Sequence, residues 1–329
     1  MFSILTAQII VLEAFIAFLT TYLVTPLLIR AFTKNGITGI DVHKIEKPVR
    51  AKMCGLGAVI GFCVAVLSTN FFLPLSETVL AATLTVMLSS VVGIYDDLRN
   101  IKQRRKVLLL LFAAAPLAWV LRSQSTLALP LIGNVNFGWV MPFILVPVGV
   151  SAAANLTNML AGFNGLEAGL GSLALGSVAT CALILGLVES YIIALPMAIA
   201  LCSFLLYNWY PAKAFPGDTG TLAIGTALAC AVIIGRIEVI GILVLAPHIV
   251  DFFTKLLGAI GKCKPFGQRK IYGDTVISQD GFLHPPPYVS FPHFIMNIQP
   301  TTEKKLVKML VLFEVLIGII AIITSVTVI

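Results

Sequence analysis

Apolar stretches of about the length a helix needs to cross the hydrocarbon of a bilayer, roughly 20 residues, recur along the whole of this chain. They run from Ile4 to Ile29, Gly55 to Leu73, Thr78 to Ile94, Val107 to Leu121 and Phe137 to Ala154, then from Leu166 to Val188, Tyr191 to Tyr207, Thr221 to Ile234, Ile237 to Phe253 and Leu306 to Ile329. With 58% hydrophobic and 11% charged residues among 329, the chain belongs with integral membrane proteins and not with soluble domains. The expected fold is all-α: about ten transmembrane helices in a single polytopic domain spanning residues 1–329. The longest polar interruption, residues 255–305, is expected as a cytoplasmic loop carrying a small β-hairpin, with Asp280-Gly281 at its turn and Pro285 to Pro287 stiffening the return to the membrane.

The basic residues orient the chain. If the amino terminus lies outside and each run crosses once, all of the 22 Lys and Arg except Arg122 and Arg236 fall on one face, the positive-inside asymmetry that marks the cytoplasm. The net charge of +7 then meets anionic lipid headgroups and not nucleic acid. The first run has no basic leader and no small-residue cleavage site, so it is expected to be retained as a helix. Cys54, Cys63, Cys181, Cys202, Cys230 and Cys263 form no CxxC spacing, and neither a disulfide framework nor a zinc site follows from them.

Three polar constellations interrupt this pattern. The segment Asn155 to Gly169, NLTNMLAGFNGLEAG, sets amides and glycines between two apolar runs. Polar groups at such a place are either helix-packing glue or a functional site. Asn155 and Asn158, three residues apart, would share a helix face. Asp96-Asp97 ends the third run ahead of IKQRRK, where two carboxylates face phosphate-binding cations or simply cap a solvated helix end. Adjacent helical residues point about 100° apart, so the two aspartates are not expected to share one task. Phe215-Pro-Gly-Asp218-Thr begins the eighth run, with Asp218 as a metal ligand or an ordinary N-cap and Phe215 as a stacking surface. Glu13 and Glu314, away from this rim, are expected to make interhelical hydrogen bonds. On the topology above Asp96, Asp97, Asn158 and Asp218 share the cytoplasmic rim. Few carboxylates among many cations suit Mg²⁺ held together with substrate phosphates.

Four blocks in order, GIDVHKIEKP (39–48), GIYDDLRNIKQRRK (93–106), NLTNMLAGFNGLEAG (155–169) and FPGDTG (215–220), resemble the polyprenyl-phosphate N-acetylhexosamine-1-phosphate transferases. The NGLEAG ending is similar to their eukaryotic and archaeal dolichyl-phosphate branch. The resemblance implies about ten spans and a cytoplasmic site, in the cell membrane of a prokaryote or the endoplasmic reticulum of a eukaryote. It further implies Mg²⁺ held by Asn158 and Asp218, diphosphate contacted by Lys106, metal and phosphate chemistry served by Asp96 and Asp97, and uracil bound by Asn164 and Phe215, with Asn155 shaping the site beside them. The family's proline-glutamate after the first basic loop stands here as Val49-Arg50-Ala51-Lys52. The Arg-His-Arg of the eukaryotic enzymes is absent from the last loop, where Arg269 and Lys270 are the nearest substitutes, followed by His284 and His293.

The implied reaction is Mg²⁺-dependent transfer of N-acetylglucosamine 1-phosphate from UDP-N-acetylglucosamine to dolichyl phosphate. It releases UMP and begins lipid-linked oligosaccharide assembly for N-glycosylation. A homodimer is one assembly open to such a chain. The alternatives are the same fold acting on undecaprenyl phosphate or another sugar, an inactive homologue, and a transporter or flippase. A transporter would place its polar groups near the midplane in related halves, a pattern this sequence lacks.

Overall fold

The computed structural model of the chain describes residues 4–129, 133–259, 275–286 and 290–327, and it is mostly helical. Helix α1 (Ile4–Lys34) leads into a short antiparallel pair, β1 (Thr38–Ile40) and β2 (Val49–Ala51). Then come α2 (Leu56–Thr69), α3 (Glu77–Arg99), α4 (Gln103–Ala113), α5 (Ala115–Val120) and a hairpin, β3 (Thr126–Leu129) with β4 (Gly133–Asn136). A π-helical turn at Met141–Leu145 opens α6 (Val146–Met159), followed by α7 (Leu166–Leu185), α8 (Val188–Asn208), α9 (Gly217–Gly235), α10 (Glu238–Val244) and α11 (Ala246–Ala259). The chain closes through β5 (Val276–Ile277), β6 (Leu283–His284), α12 (Phe291–Ile298) and α13 (Glu303–Thr327).

Among the described residues seven helices are long and apolar enough to cross a membrane, and eight if α10 and α11, bent by 64° at a short break, count as one span. The protein is an integral membrane protein. Of the ten expected runs, seven or eight meet that measure among the described residues. The run from Gly55 to Leu73 forms only the 14 residues of α2, about 21 Å at 1.5 Å per residue, short of a hydrocarbon core of about 30 Å. Pro74 follows closely, and Asn70 Oδ1 turns the chain by accepting from Leu75 N at 3.0 Å. The run from Val107 to Leu121 is broken at Ala114 between α4 and α5, with Pro116 in the first turn of the second piece, where the ring is tolerated but a continuous helix is not.

Helix α9 is the axis of the molecule. It is the most buried of the long helices and packs against α3, α6, α7 and α8. Small residues permit that density. A Cβ built on Gly93 of α3 would stand 2.5 Å from both Asp218 O and Thr219 Cα of α9, so only glycine lets the start of α9 approach α3 this closely.

The turn expected at Asp280-Gly281 is present as a two-residue ladder. Val276 pairs with His284 and Ile277 with Leu283, and Gly281 takes φ +82° at the turn. Leu283 N donates to Thr301 O at 2.9 Å, tying this hairpin to the entry of α13.

Candidate active site

The segment before α9 is held from two sides. Phe215 N donates to Ala51 O at 2.8 Å and Cys54 N donates to Phe215 O at 2.9 Å, so the β2 backbone fixes the phenylalanine. On the other side Asp97, its side chain fully buried, caps α9. Its Oδ1 accepts from Asp218 N at 3.0 Å, and its Oδ2 accepts from Thr219 N at 3.0 Å and Thr219 Oγ1 at 2.7 Å. A carboxylate at this point satisfies N–H groups that lack intrahelical partners and meets the positive end of the helix dipole. Gly217 is required beside it: its φ is +67°, and a Cβ there would lie 2.5 Å from Asp97 Oδ2.

The capped turn presents Asp218 to the neighbouring helices. Lys106 Nζ of α4 donates to Asp218 Oδ2 at 2.6 Å and pairs with Asp96 as well. Asp96 Oδ1 accepts from Ile101 N at 2.8 Å, holding the tight connection between α3 and α4. From α6, Asn158 Nδ2 donates to Asp218 Oδ2 at 3.2 Å, and Asn158 Oδ1 accepts from Thr221 Oγ1 at 2.9 Å. Lys52, just after β2, pairs with Asp97 Oδ1 at 3.1 Å. Asp96, Asp97, Lys106, Asn158 and Asp218, scattered over more than 120 positions, therefore form one connected network. Its three carboxylates face two ammonium groups, leaving negative charge in excess beside an opening.

That opening is a cavity of about 340 Å³, walled by Asn158, Asp218, Thr221, Gly217, Phe215, Lys52, Glu167 and residues 39–42 and 161–163, among others. One wall carries oxygen donors, another an aromatic ring. Space, a carboxylate, an amide and a stacking face together suit a phosphorylated ligand with a planar group.

The remaining sequence candidates lie elsewhere. Asn155 joins α4 to α6, accepting from Gln103 Nε2 at 2.7 Å and donating to Ser151 O at 2.8 Å. Asn164 is buried, its Oδ1 accepting from Ala212 N at 2.7 Å. Neither is among the residues lining the cavity. Arg269 and Lys270 lie outside the described residues. His284 is exposed on β6, and His293 is buried on α12 with Nε2 3.1 Å from Thr275 Oγ1, so neither reaches the cavity. Glu13 accepts from Thr69 Oγ1 across α1 and α2 at 3.2 Å, as expected of an interhelical group. Glu314 differs: both of its oxygens are buried without a hydrogen-bond partner among the described residues.

The structure also adds groups. Glu303, at the start of α13, accepts from Asn164 N at 2.7 Å through Oε1 and pairs with Lys44 through Oε2. Lys44 pairs in turn with Asp41 at 3.4 Å and lies 4.2 Å over the Tyr210 ring, while His43 stacks on Phe163 at 4.5 Å. Ligand atoms of Asp41, His43 and Glu303 come within 4.8 Å of one another, and Lys44 already pairs with both carboxylates, which makes the cluster a clasp. It joins the first loop, the asparagine segment and the last helix. No sequence spacing signals it. Glu167, in the first turn of α7, holds the cavity loop by accepting from Gly162 N at 2.6 Å.

The profile of glycosyl transferase family 4 matches residues 79–236, from the start of α3 to the end of α9, which includes the whole Asp96, Asp97, Lys106, Asn158 and Asp218 network. A Sulfolobus acidocaldarius protein with the provisional name UDP-N-acetylglucosamine–dolichyl-phosphate N-acetylglucosaminephosphotransferase is 30% identical over 324 residues, 95% of each chain. The Schizosaccharomyces pombe protein bearing that name without qualification is 28% identical over 62% of this chain and 57% of its own. A Bacillus subtilis protein, provisionally an undecaprenyl-phosphate N-acetylglucosaminyl 1-phosphate transferase, is 29% identical over 64% and 58% respectively.

Proposed function

The chain belongs to glycosyl transferase family 4, and from that membership we propose that it transfers N-acetylglucosamine 1-phosphate from UDP-N-acetylglucosamine to dolichyl phosphate. An oxygen of the lipid phosphate bonds to the sugar-bearing phosphorus, the bond from that phosphorus to UMP breaks, and a lipid-diphosphate sugar and UMP result. The observation that carries this reading is the convergence of Asp96, Lys106, Asn158 and Asp218 from four helices into one network, of which Asn158 and Asp218 line the cavity. The greater similarity of the archaeal dolichyl-phosphate relatives over nearly full length favours dolichyl over undecaprenyl phosphate as acceptor.

Asp218 and Asn158 offer an all-oxygen donor pair beside excess negative charge and open space, which fits Mg²⁺, commonly held by one or two carboxylates together with substrate phosphates. When bound there, Mg²⁺ would neutralise diphosphate charge and polarise the phosphorus under attack. Lys106 stabilises charge that builds on the diphosphate, a preorganised contribution because Asp96 and the α3–α4 turn fix its position. Asp97 orients Asp218 through the first turn of α9. Phe215 stacks on uracil, and Asn164 sets the loop that faces it by binding Ala212. Arg269 and Lys270 meet the sugar diphosphate from the last loop. No side chain needs to act as a base, since a phosphate monoester with a second pKa of about 6 is already largely dianionic at pH 7.

The same reading places ten crossings in the membrane, with α2 and the broken α4–α5 pair as short ones, and the cavity on the cytoplasmic rim where the basic loops gather. A rim site serves a water-soluble nucleotide and a membrane-bound lipid at once. Purified protein given Mg²⁺, labelled UDP-N-acetylglucosamine and dolichyl phosphate should release UMP and label the lipid. Release of UDP, or no release, refutes it.

A further inference from the structure

We propose that Lys52 is a substrate-binding residue, a second diphosphate-facing cation carried on the cavity wall. Among the described residues lining the cavity it is the one lysine or arginine. Lys106 lies behind Asp218, buried between two carboxylates, whereas the Lys52 side chain is 34% exposed and has a single carboxylate partner.

That partner can release it. Asp97 keeps two backbone N–H donors and the Thr219 hydroxyl when Lys52 leaves, so the swing creates no orphaned buried carboxylate, the costly event when a buried ion pair is broken. Lys106 is held more tightly, since it bridges two carboxylates that would keep one donor each, Ile101 N on Asp96 and Asn158 Nδ2 on Asp218. The flexible four-carbon stem of a lysine suits a charge that moves between two anions. Its position is also fixed at the root, because the neighbouring Ala51 O holds Phe215 N. The wall that sets the stacking ring therefore carries the cation, and a nucleotide stacked on Phe215 has its phosphates between Lys52 and Asp218.

This rests on the nucleotide-sugar reading, and a binding experiment separates the two. Full-length protein with Mg²⁺ is titrated with uridine and UDP. Lys52→Gln removes the charge while keeping a donor for Asp97. A charge-assisted hydrogen bond lost to water is expected to weaken UDP binding by about 10- to 100-fold, leaving uridine affinity and the thermal midpoint unchanged, and Lys52→Arg should restore most of the loss. In turnover, the KM for UDP-N-acetylglucosamine rises more than kcat falls. Unchanged UDP affinity refutes the proposal, as does equal weakening of uridine and UDP, which marks Lys52 as only a support for Asp97. Wild-type protein that binds neither ligand refutes the nucleotide reading and this inference with it. If Lys52→Gln is recovered unfolded, Lys52→Met and Lys52→Arg are held to the same UDP-to-uridine ratio.

Discussion

Replacing Asp97 by asparagine should damage the protein through the helix it caps, not through the chemistry it touches. The carboxylate accepts from Asp218 N, Thr219 N and Thr219 Oγ1 and pairs with Lys52. An amide is nearly isosteric but has one acceptor. With its oxygen toward Asp218 N, the amide NH₂ faces Thr219 N, and the threonine hydroxyl can turn to accept but the backbone N–H cannot. One buried N–H is then unsatisfied, worth about 1–3 kcal/mol. The charge opposite the start of α9 is lost too, worth up to about 2 kcal/mol when partly buried. The Lys52 pair adds little, being a third exposed and screened. The sum is about 1–5 kcal/mol against folding, felt first in the turn that aims Asp218. A displacement of about 1 Å there can cost roughly 100-fold in rate. The assay is thermal unfolding in detergent beside UMP release at saturating substrate. Both should fall together, and a compound that binds the cavity should recover part of the stability. An Asp97→Asn protein that melts as wild type yet turns over nothing would refute the capping argument and return Asp97 to the reacting groups.

The other expectations contrast with that one. Asp218→Asn should keep the melting temperature while abolishing Mg²⁺-dependent turnover, and normal turnover at ordinary Mg²⁺ would remove Asp218 from the metal site. Gly93→Ala places a methyl 2.5 Å from the α9 backbone, so overpacking should cost about 1–3 kcal/mol and lower the yield of folded protein, read by size-exclusion chromatography. Cys54 sits in the loop before α2, and burial pushes its thiol up to about 12. The reactive thiolate is therefore scarce at pH 8, and mass spectrometry after maleimide treatment of folded protein should find Cys54 unlabelled while denatured protein labels fully.

Local patterns foretold the groups whose neighbours in sequence share their task. Asp96, Asn158 and Asp218 stood out because polar groups at the ends of apolar runs are conspicuous, Lys106 is added by the resemblance, and the structure brings all four into one network. The 100° between adjacent helical residues also anticipated that the two aspartates diverge: Asp96 turns to Lys106 and Asp97 to α9. What spacing could not anticipate was partner choice over distance. Asn155 and Asn158 share a helix, yet one bonds Gln103 of α4 and the other Asp218 of α9. Asn164 looked like a ligand-reading amide, but its oxygen meets a backbone N–H 48 residues away. Glu303 drew no expectation at all, since nothing near it in sequence points to Lys44 or Asn164. Run length misled in the same way, since hydropathy registers the apolar stretch of α4 and α5 but not the break at Ala114.

The bond from Asn164 to Glu303 spans 139 positions, and this sets an order of events during synthesis. At 5–20 residues per second, on the order of 10–30 s separates the emergence of the asparagine loop from that of the residue that fastens it. By the end of that interval the earlier helices hold Asp96, Lys106, Asn158 and Asp218, while the loop above them still lacks the bond from Asn164 N to Glu303. The cavity is therefore completed late, with the insertion of the final helix, and a chain interrupted before residue 303 would carry Asp96, Lys106, Asn158 and Asp218 without the clasp that closes the loop beside them.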